Sequence, residues 1–271
     1  MNIELFLPYE KDGNIVNQEV RMFIERSIRS GWDGVVLTTN VRTMKNVPPP
    51  AEPVQISAEA EAIIQRRHSL FCLSDYPTFP QFTRLNLETD SVDEVHAFMR
   101  QMNSLGYSLY SVTPLNEQIF KMACQTMDID IISLDLPAYM PKKKWKDLKG
   151  AVNRGIAVEI RYSQFLKSPQ MRQDLISAAK SLTFVLRRRN ILLSNGCLDT
   201  DLVRSPSDVH NIAALLNIKQ PENITNSIPK KVLSKGLSRN TFSGIARAMK
   251  PIEESTSDEE DDFIPITIQT I

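Results

Sequence analysis

The chain has 271 residues with 42% apolar content, enough to bury one α/β domain of roughly 250 residues plus a tail. It carries 32 Lys+Arg against 32 Asp+Glu, and its three cysteines, Cys72, Cys124 and Cys197, are far apart and show no C-x-x-C spacing, so they read as reduced core thiols. No disulfide scaffold, zinc site or membrane-crossing helix is expected. Glu4 and Pro8 break up the apolar N-terminal stretch, so no signal peptide is read there and an intracellular, soluble protein is expected.

In chain order, the hydrophobic period predicts eight strands, over residues 3–7, 34–38, 69–73, 82–87, 107–112, 129–134, 156–162 and 190–194. Between them fall helical stripes. Val16, Val20, Phe23, Ile24 and Ile28 form the first, Val95, Phe98, Met99 and Met102 the second, and Ile119, Phe120 and Ala123 the third. A fourth helix, over 168–188, turns Leu175, Ala178, Ala179, Leu182, Val185 and Leu186 inward and Gln173, Ser177, Lys180 and Arg187 outward. Gly31 and Gly106 follow helix ends, and the proline-rich stretch 41–53 is a loop that interrupts one βα unit. Strands alternating with helices imply a parallel sheet, and eight such strands suggest closure into a TIM-like (β/α) barrel over residues 1–218. Beyond Asn217 two helices are expected, over 222–234 and 238–249, forming a basic extension (219–250) packed on the barrel. The tail 251–271 has too few apolar groups to fold and is expected to be disordered.

The neutral total hides a polarised charge distribution. Residues 1–140 carry 11 Lys+Arg against 18 Asp+Glu (net −7), residues 141–250 carry 21 against 7 (net +14), and residues 251–271 carry none against 7 (net −7). A 110-residue stretch at +14 has the footprint of a polyanion binder. The competing reading is a set of long helices with solvated Lys and Arg. For Lys142, Lys143, Lys144, Trp145 and Lys146, phosphate contact, a nuclear-import signal and a solvated helix start stand side by side.

Catalytic signatures are sparse. His68, His96 and His210 show no ligand spacing, no Gly-rich phosphate loop occurs, and Ser194-Asn195-Gly196 is no nucleophile elbow. Asp135 and Asp199 follow predicted strands, where barrel enzymes keep their chemistry, but two isolated aspartates make a weak metal site. Elementary roles follow for the turn residues. Gly155 turns the chain into a strand, and Arg154 beside it reaches a phosphate or a carboxylate such as Glu159. Ser205 caps the helix that Pro206 opens, while Arg204 either pairs with Asp208 or contacts RNA.

The strings N-R-G-I-A-V-E-I-R-Y-S-Q-F-L from Asn153, M-R-Q-D-L-I-S-A-A-K from Met171, I-L-L-S-N-G from Ile191, V-R-S-P-S-D-V-H-N-I-A-A-L-L from Val203 and P-K-K-V-L-S-K-G-L-S-R-N-T-F-S-G-I from Pro229 resemble the thirty-kilodalton protein subunit family of ribonuclease P and ribonuclease MRP. Weaker similarity reaches back through Thr83-Arg84-Leu85 and Ile129-Asp130-Ile131-Ile132. By that resemblance Arg154, Gly155, Glu159, Tyr162, Arg172, Ser194, Arg204, Ser205, Pro206, Asp208 and Arg239 occupy recurrent positions of the family. Departures are Asn195-Gly196 after Ser194, Asn217 where a glycine is usual, Glu4 where an aspartate is usual, and the proline-rich loop.

The resemblance implies a barrel of the PHP-like type that lacks the metal site of its phosphoesterase relatives. It implies a non-catalytic subunit of ribonuclease P, and of ribonuclease MRP, in the nucleus and nucleolus. There the RNA with its Mg²⁺ removes 5′ leaders from precursor tRNA, and a small ferredoxin-like subunit is the protein neighbour. No cofactor, metal or membrane is expected for the chain itself. Candidate RNA contacts are Lys142, Lys143, Lys144, Lys146, Arg154, Arg172, Arg187, Arg188, Arg189, Arg204, Lys230, Lys231 and Arg239. The alternative is a PHP-type metal-dependent phosphoesterase using Asp135 and Asp199.

Overall fold

The computed structural model describes residues 1–9, 11–12, 15–16, 18–71, 78–136, 145–186, 190–197 and 199–239. Strand β1 (Ile3–Pro8) leads through a short antiparallel pair, β2 (Lys11–Asp12) and β3 (Ile15–Val16), to helix α1 (Gln18–Ser30). Then come β4 (Gly34–Val41), α2 (Ala58–Phe71), β5 (Gln81–Thr89), α3 (Val92–Gln101), β6 (Leu109–Pro114), α4 (Glu117–Gln125), β7 (Ile131–Leu134) and α5 (Trp145–Asn153). The chain continues with β8 (Ala157–Arg161), α6 (Ser163–Lys167), α7 (Pro169–Val185), β9 (Ile191–Ser194), α8 (Pro206–Leu215) and α9 (Ser227–Arg239).

Seven strands form one parallel sheet, and their spatial order, β1, β4, β5, β6, β7, β8, β9, repeats their order in the chain. Helices cover the outer face and the sheet curls into a nearly closed barrel. Its two edges meet where the Gly196 amide donates to the Phe6 carbonyl (3.2 Å). Because a strand's side chains alternate with period two, each strand divides its residues between the helix-facing side and the interior. The helix-facing set, which includes Leu85, Leu87, Val112, Ile132, Val158 and Ile160, joins the largest apolar cluster.

Inward residues fall into layers. At the N-terminal end of the strands, Ile3, Val36, Leu109, Ile131, Ala157 and Leu192 form an apolar floor that Val232 and Leu233 of α9 close from below. Asp130, fully buried, fixes α9 in place. It accepts the Tyr110 amide (2.9 Å) and two bonds from Arg239 (2.5 and 3.0 Å), whose guanidinium also lies over the Tyr110 ring. Lys235 adds a bond to the Ile129 carbonyl (3.2 Å).

Two sequence expectations change. Residues 69–71 belong to the end of α2 and not to a strand, and residues 72 and 73 lie outside the described residues. A short apolar run has no period of its own, and here it continues a helix already anchored by buried Ala60 and Ile64. The main sheet therefore has seven strands among the described residues, against eight expected. The two C-terminal helices are replaced by a 3-10 turn (Pro221–Ile224) and α9, which runs unbroken through Ser234 to Arg239 because the floor contacts and the Asp130 pairing extend along it. The rest of the second expected helix, and the tail, lie outside the described residues.

Gly236 sits where α9 touches the floor. A methyl group there would collide with the Ser108 carbonyl and the Leu109 side chain. Gly236→Ala should therefore cost about 1–3 kcal/mol, as overpacking does, read as a lowered urea midpoint with faster amide exchange in α9. An unchanged midpoint would mean that α9 is not seated in this way.

Candidate functional site

Above the floor the barrel interior turns polar. Arg84 on β5 has no exposure to solvent, and neither has Glu159 on β8. Their side chains form a bidentate pair, with NH1 to Oε1 at 2.8 Å and NH2 to Oε2 at 2.7 Å. Arg84 Nε donates to Ser111 Oγ (2.7 Å), and NH1 donates also to the Leu5 carbonyl (3.0 Å). Burial by itself would raise the Glu159 pKa, but the charge and hydrogen bonds of Arg84 outweigh it and hold the carboxyl below its usual range.

One turn of the pleat further on lies the C-terminal mouth, where barrel enzymes gather catalytic groups. Here it is filled by Arg161, whose donors reach Ser133 Oγ (3.3 Å), Asp135 Oδ2 (3.3 Å) and Thr113 Oγ1 (3.0 Å). Gln164 Nε2 takes the other oxygen of Asp135 (2.6 Å). Gly196 is required beside it, since its φ is +68° and a Cβ there would stand 2.7 Å from Arg161 Cδ. Phe6 underlies both guanidiniums, 4.7 Å from Arg84 Cζ and 4.6 Å from Arg161 Cζ.

The two candidate metal ligands are both otherwise engaged. Asp135 is neutralised by Arg161, and the Asp199 carboxylate accepts the Asp201 amide (3.0 Å) at the start of a 3-10 turn. Among the described residues no three His, Cys, Asp or Glu side chains come together as metal ligands would. His210 donates to or accepts from Thr225 (2.7 Å), which in turn bonds Asn2 (2.9 Å), so it helps to tie down the start of the chain. Cys124 is buried, its thiol pushed up to about 12 by desolvation.

The barrel's seam, between β9 and β1, is bridged by a side chain. Glu4, 1% exposed, accepts the amides of Asn195 (2.9 Å) and Phe6 (3.3 Å) through Oε1. Desolvation pushes its carboxyl up to about 8 against the lowering effect of those amides, and the charge of Glu159 adds to the rise. Its Oε2, the Tyr162 hydroxyl, Ser194 Oγ and Asn195 Oδ1 are buried without a hydrogen-bond partner. Tyr162 is near enough to bias the Glu4 titration, yet the two make no bond of normal geometry.

The described candidate RNA contacts do not gather at one place. Lys142, Lys143, Lys144, Arg187, Arg188 and Arg189 lie outside the described residues, and Lys146 falls at the start of α5. Arg154 does not approach Glu159. It caps α4 by donating to the carbonyls of Met127 (2.8 Å), Cys124 (2.6 Å) and Ala123 (3.3 Å), because a helix C-terminus presents orphan carbonyls to a cation. Arg204 donates to the carbonyls of Asp201 (2.8 Å) and Val203 (3.1 Å), while Asp208 completes a capping box with Ser205. Arg172 is exposed, bonded to the Phe165 carbonyl (3.1 Å) and stacked on its ring. Lys230 and Lys231 are exposed on α9, whereas Arg239 is committed to Asp130.

Sequence reasoning missed the interior network. A usable signal was present: Arg84 and Asn86 alternate with Leu85 and Leu87, and Glu159 and Arg161 with Val158 and Ile160. In a sheet covered by helices on one face, such charged alternation can only point into the barrel.

A sequence model of the RNase P subunit p30 family matches residues 1–241. The chain belongs to this family. It is 34% identical over 146 residues to Protein GAMETOPHYTE DEFECTIVE 1 of Arabidopsis thaliana, covering 52% of this chain and 24% of that protein. It is 26% identical over 157 residues to the Ribonuclease P protein subunit p30 of Mus musculus, covering 57% and 59% respectively. These matches thus span a quarter to three-fifths of the relatives' own length. A chain of the cryo-EM structure of archaeal Ribonuclease P with mature tRNA superposes with a TM-score of 0.58 at 13% identity, covering 94% of this chain and all of that one, which agrees on the barrel fold.

Two outcomes test the interior of this p30-family chain. Arg84→Met leaves the Glu159 charge buried without a partner and should cost about 3–5 kcal/mol; adding Glu159→Gln should recover part of that loss in a double-mutant cycle from urea unfolding. A pair contributing additively would contradict the bidentate geometry. Glu4 titrates higher in the folded chain than its ordinary 4.5, so the folded state holds its proton up to about pH 8 and stability falls as pH rises between those values. Glu4→Gln should flatten that fall by a few kcal/mol at most, measured as urea midpoints at pH 5 and pH 8.5.

Proposed function

We propose that this chain works as a non-catalytic protein subunit of ribonuclease P, and of ribonuclease MRP, in the nucleus and nucleolus. In this reading the RNA and its Mg²⁺ remove the 5′ leader of precursor tRNA. The chain neutralises RNA backbone through its basic outer surface and pairs with a small ferredoxin-like subunit. Family membership across residues 1–241 supports the assignment, as do the names of its relatives and the +14 charge of residues 141–250.

The observation that carries the non-catalytic part is the Arg161 guanidinium in the barrel mouth. A metallophosphoesterase needs converging carboxylates and imidazoles there. A guanidinium ion-paired to Asp135 opposes a divalent cation by charge and removes the carboxylate that would bind it. That same pairing weighs against the phosphoesterase reading through Asp135 and Asp199. The purified chain should turn over neither precursor tRNA nor phosphate esters in Mg²⁺ or Mn²⁺, and affinity capture from cells should enrich the ribonuclease P and MRP RNAs. Metal-dependent turnover abolished by Asp135→Asn would overturn this reading.

A further inference from the structure

Helix α7 presents one aromatic ring to solvent. Phe184, on its last turn, is 86% exposed, more than Met22 on α1 (51%) or Leu215 on α8 (64%). A single exposed apolar side chain is ordinary on a protein surface, so exposure alone decides nothing. The setting does. Gln173, Ser177, Lys180 and Phe184 follow one another at intervals of four, three and four residues, which puts an amide, a hydroxyl, an ammonium and a phenyl on one outward stripe, all four exposed.

Charge around that stripe selects the occupant. Helix α7 carries two cations, Arg172 and Lys180, and its one acid, Asp174, is engaged by Gln170 (3.2 Å). Among the described residues the Lys180 ammonium makes no ion pair or hydrogen bond, and no ring or cation lies over Phe184. The N-terminal end of the same helix differs. There Arg172 covers the Phe165 ring at 5.2 Å, so that π face is already used within the chain. A protein-docking hot spot would need apolar neighbours around the ring to exclude water. This stripe has polar ones. A flat, unoccupied ring one helical turn from a free cation instead matches what a single-stranded nucleic acid requires, a face for a base and a charge for the adjoining phosphate.

We propose that Phe184 is a stacking platform for an unpaired base of bound RNA, with Lys180 on the neighbouring phosphate. This rests on the reading of the chain as an RNA-binding subunit and adds to it the single-stranded class of target. The test uses the full chain with a labelled oligouridylate and, separately, a duplex RNA of the same length. Phe184→Ala should weaken oligouridylate binding by about five- to hundredfold, the range that base–aromatic stacking contributes, and leave duplex affinity unchanged. Phe184→Trp should restore binding and lose indole fluorescence as oligouridylate is added. Lys180→Gln should reduce the slope of log affinity against log salt by about one.

The outcomes separate the two readings. If the wild-type chain binds neither RNA in a salt-dependent manner, the RNA-binding reading fails and the stacking proposal with it. If the wild type binds oligouridylate and Phe184→Ala binds it equally well, the stacking proposal alone fails. Parallel loss of oligouridylate and duplex binding would also overturn it. Retained RNA affinity together with loss of co-purifying protein subunits would make Phe184 a protein contact.

Discussion

A guanidinium without access to water must find a counter-charge and acceptors for its N–H groups, and the barrel is arranged around meeting that demand for Arg84. Glu159 supplies the charge in bidentate form, while Ser111 and the Leu5 carbonyl supply further acceptors. These partners come from β8, β6 and β1, so a single side chain on β5 fixes the relative positions of four strands. The Phe6 ring beneath Arg84 and Arg161 fills the space that a purely polar interior would leave to water. Arg161 then needs its own counter-ion, which draws in Asp135, and needs Gly196 to leave room for its stem. The mouth of the barrel is thereby committed to structure.

The same logic organises the floor. Buried Asp130 takes its counter-charge from Arg239, which pins α9 under the apolar layer formed by Leu109, Ile131 and Leu192. Some cations of the basic half thus serve the fold: Arg239 holds α9, and Arg154 and Arg204 satisfy backbone carbonyls. Others, among them Lys180, Lys230 and Lys231, are exposed on the outer surface. Part of the +14 of residues 141–250 is therefore tied up in pairing within the chain.

Much of the barrel was legible in advance because local physics governs it. The stripe Val20, Phe23, Ile24, Ile28 became the buried face of α1, and Leu175, Ala178, Ala179 and Leu182 that of α7. Ser205 and Pro206 opened α8 with the capping box their types favour, and Gly155 took the left-handed turn before β8. Residues 69–71 misled because a short run with two adjacent apolar residues, Leu70 and Phe71, at the end of a helix looks the same as the start of a buried strand. Arg154 and Arg204 misled because a guanidinium serves carbonyls, carboxylates and phosphates alike, and only the neighbouring helix ends show which is within reach.

The sequence by itself determined the alternation of strands and helices, the polarised charge and the family strings, since each depends on residues close together in the chain. Tertiary structure alone decided that Arg84 meets Glu159 across 75 residues, that Asp130 meets Arg239 across 109, and that Glu4 bridges the seam to Asn195 across 191. Each pairing is set by which strands neighbour one another and by the register between them. That register follows from packing the whole barrel, because a one-residue slip would turn every inward side chain toward the helices.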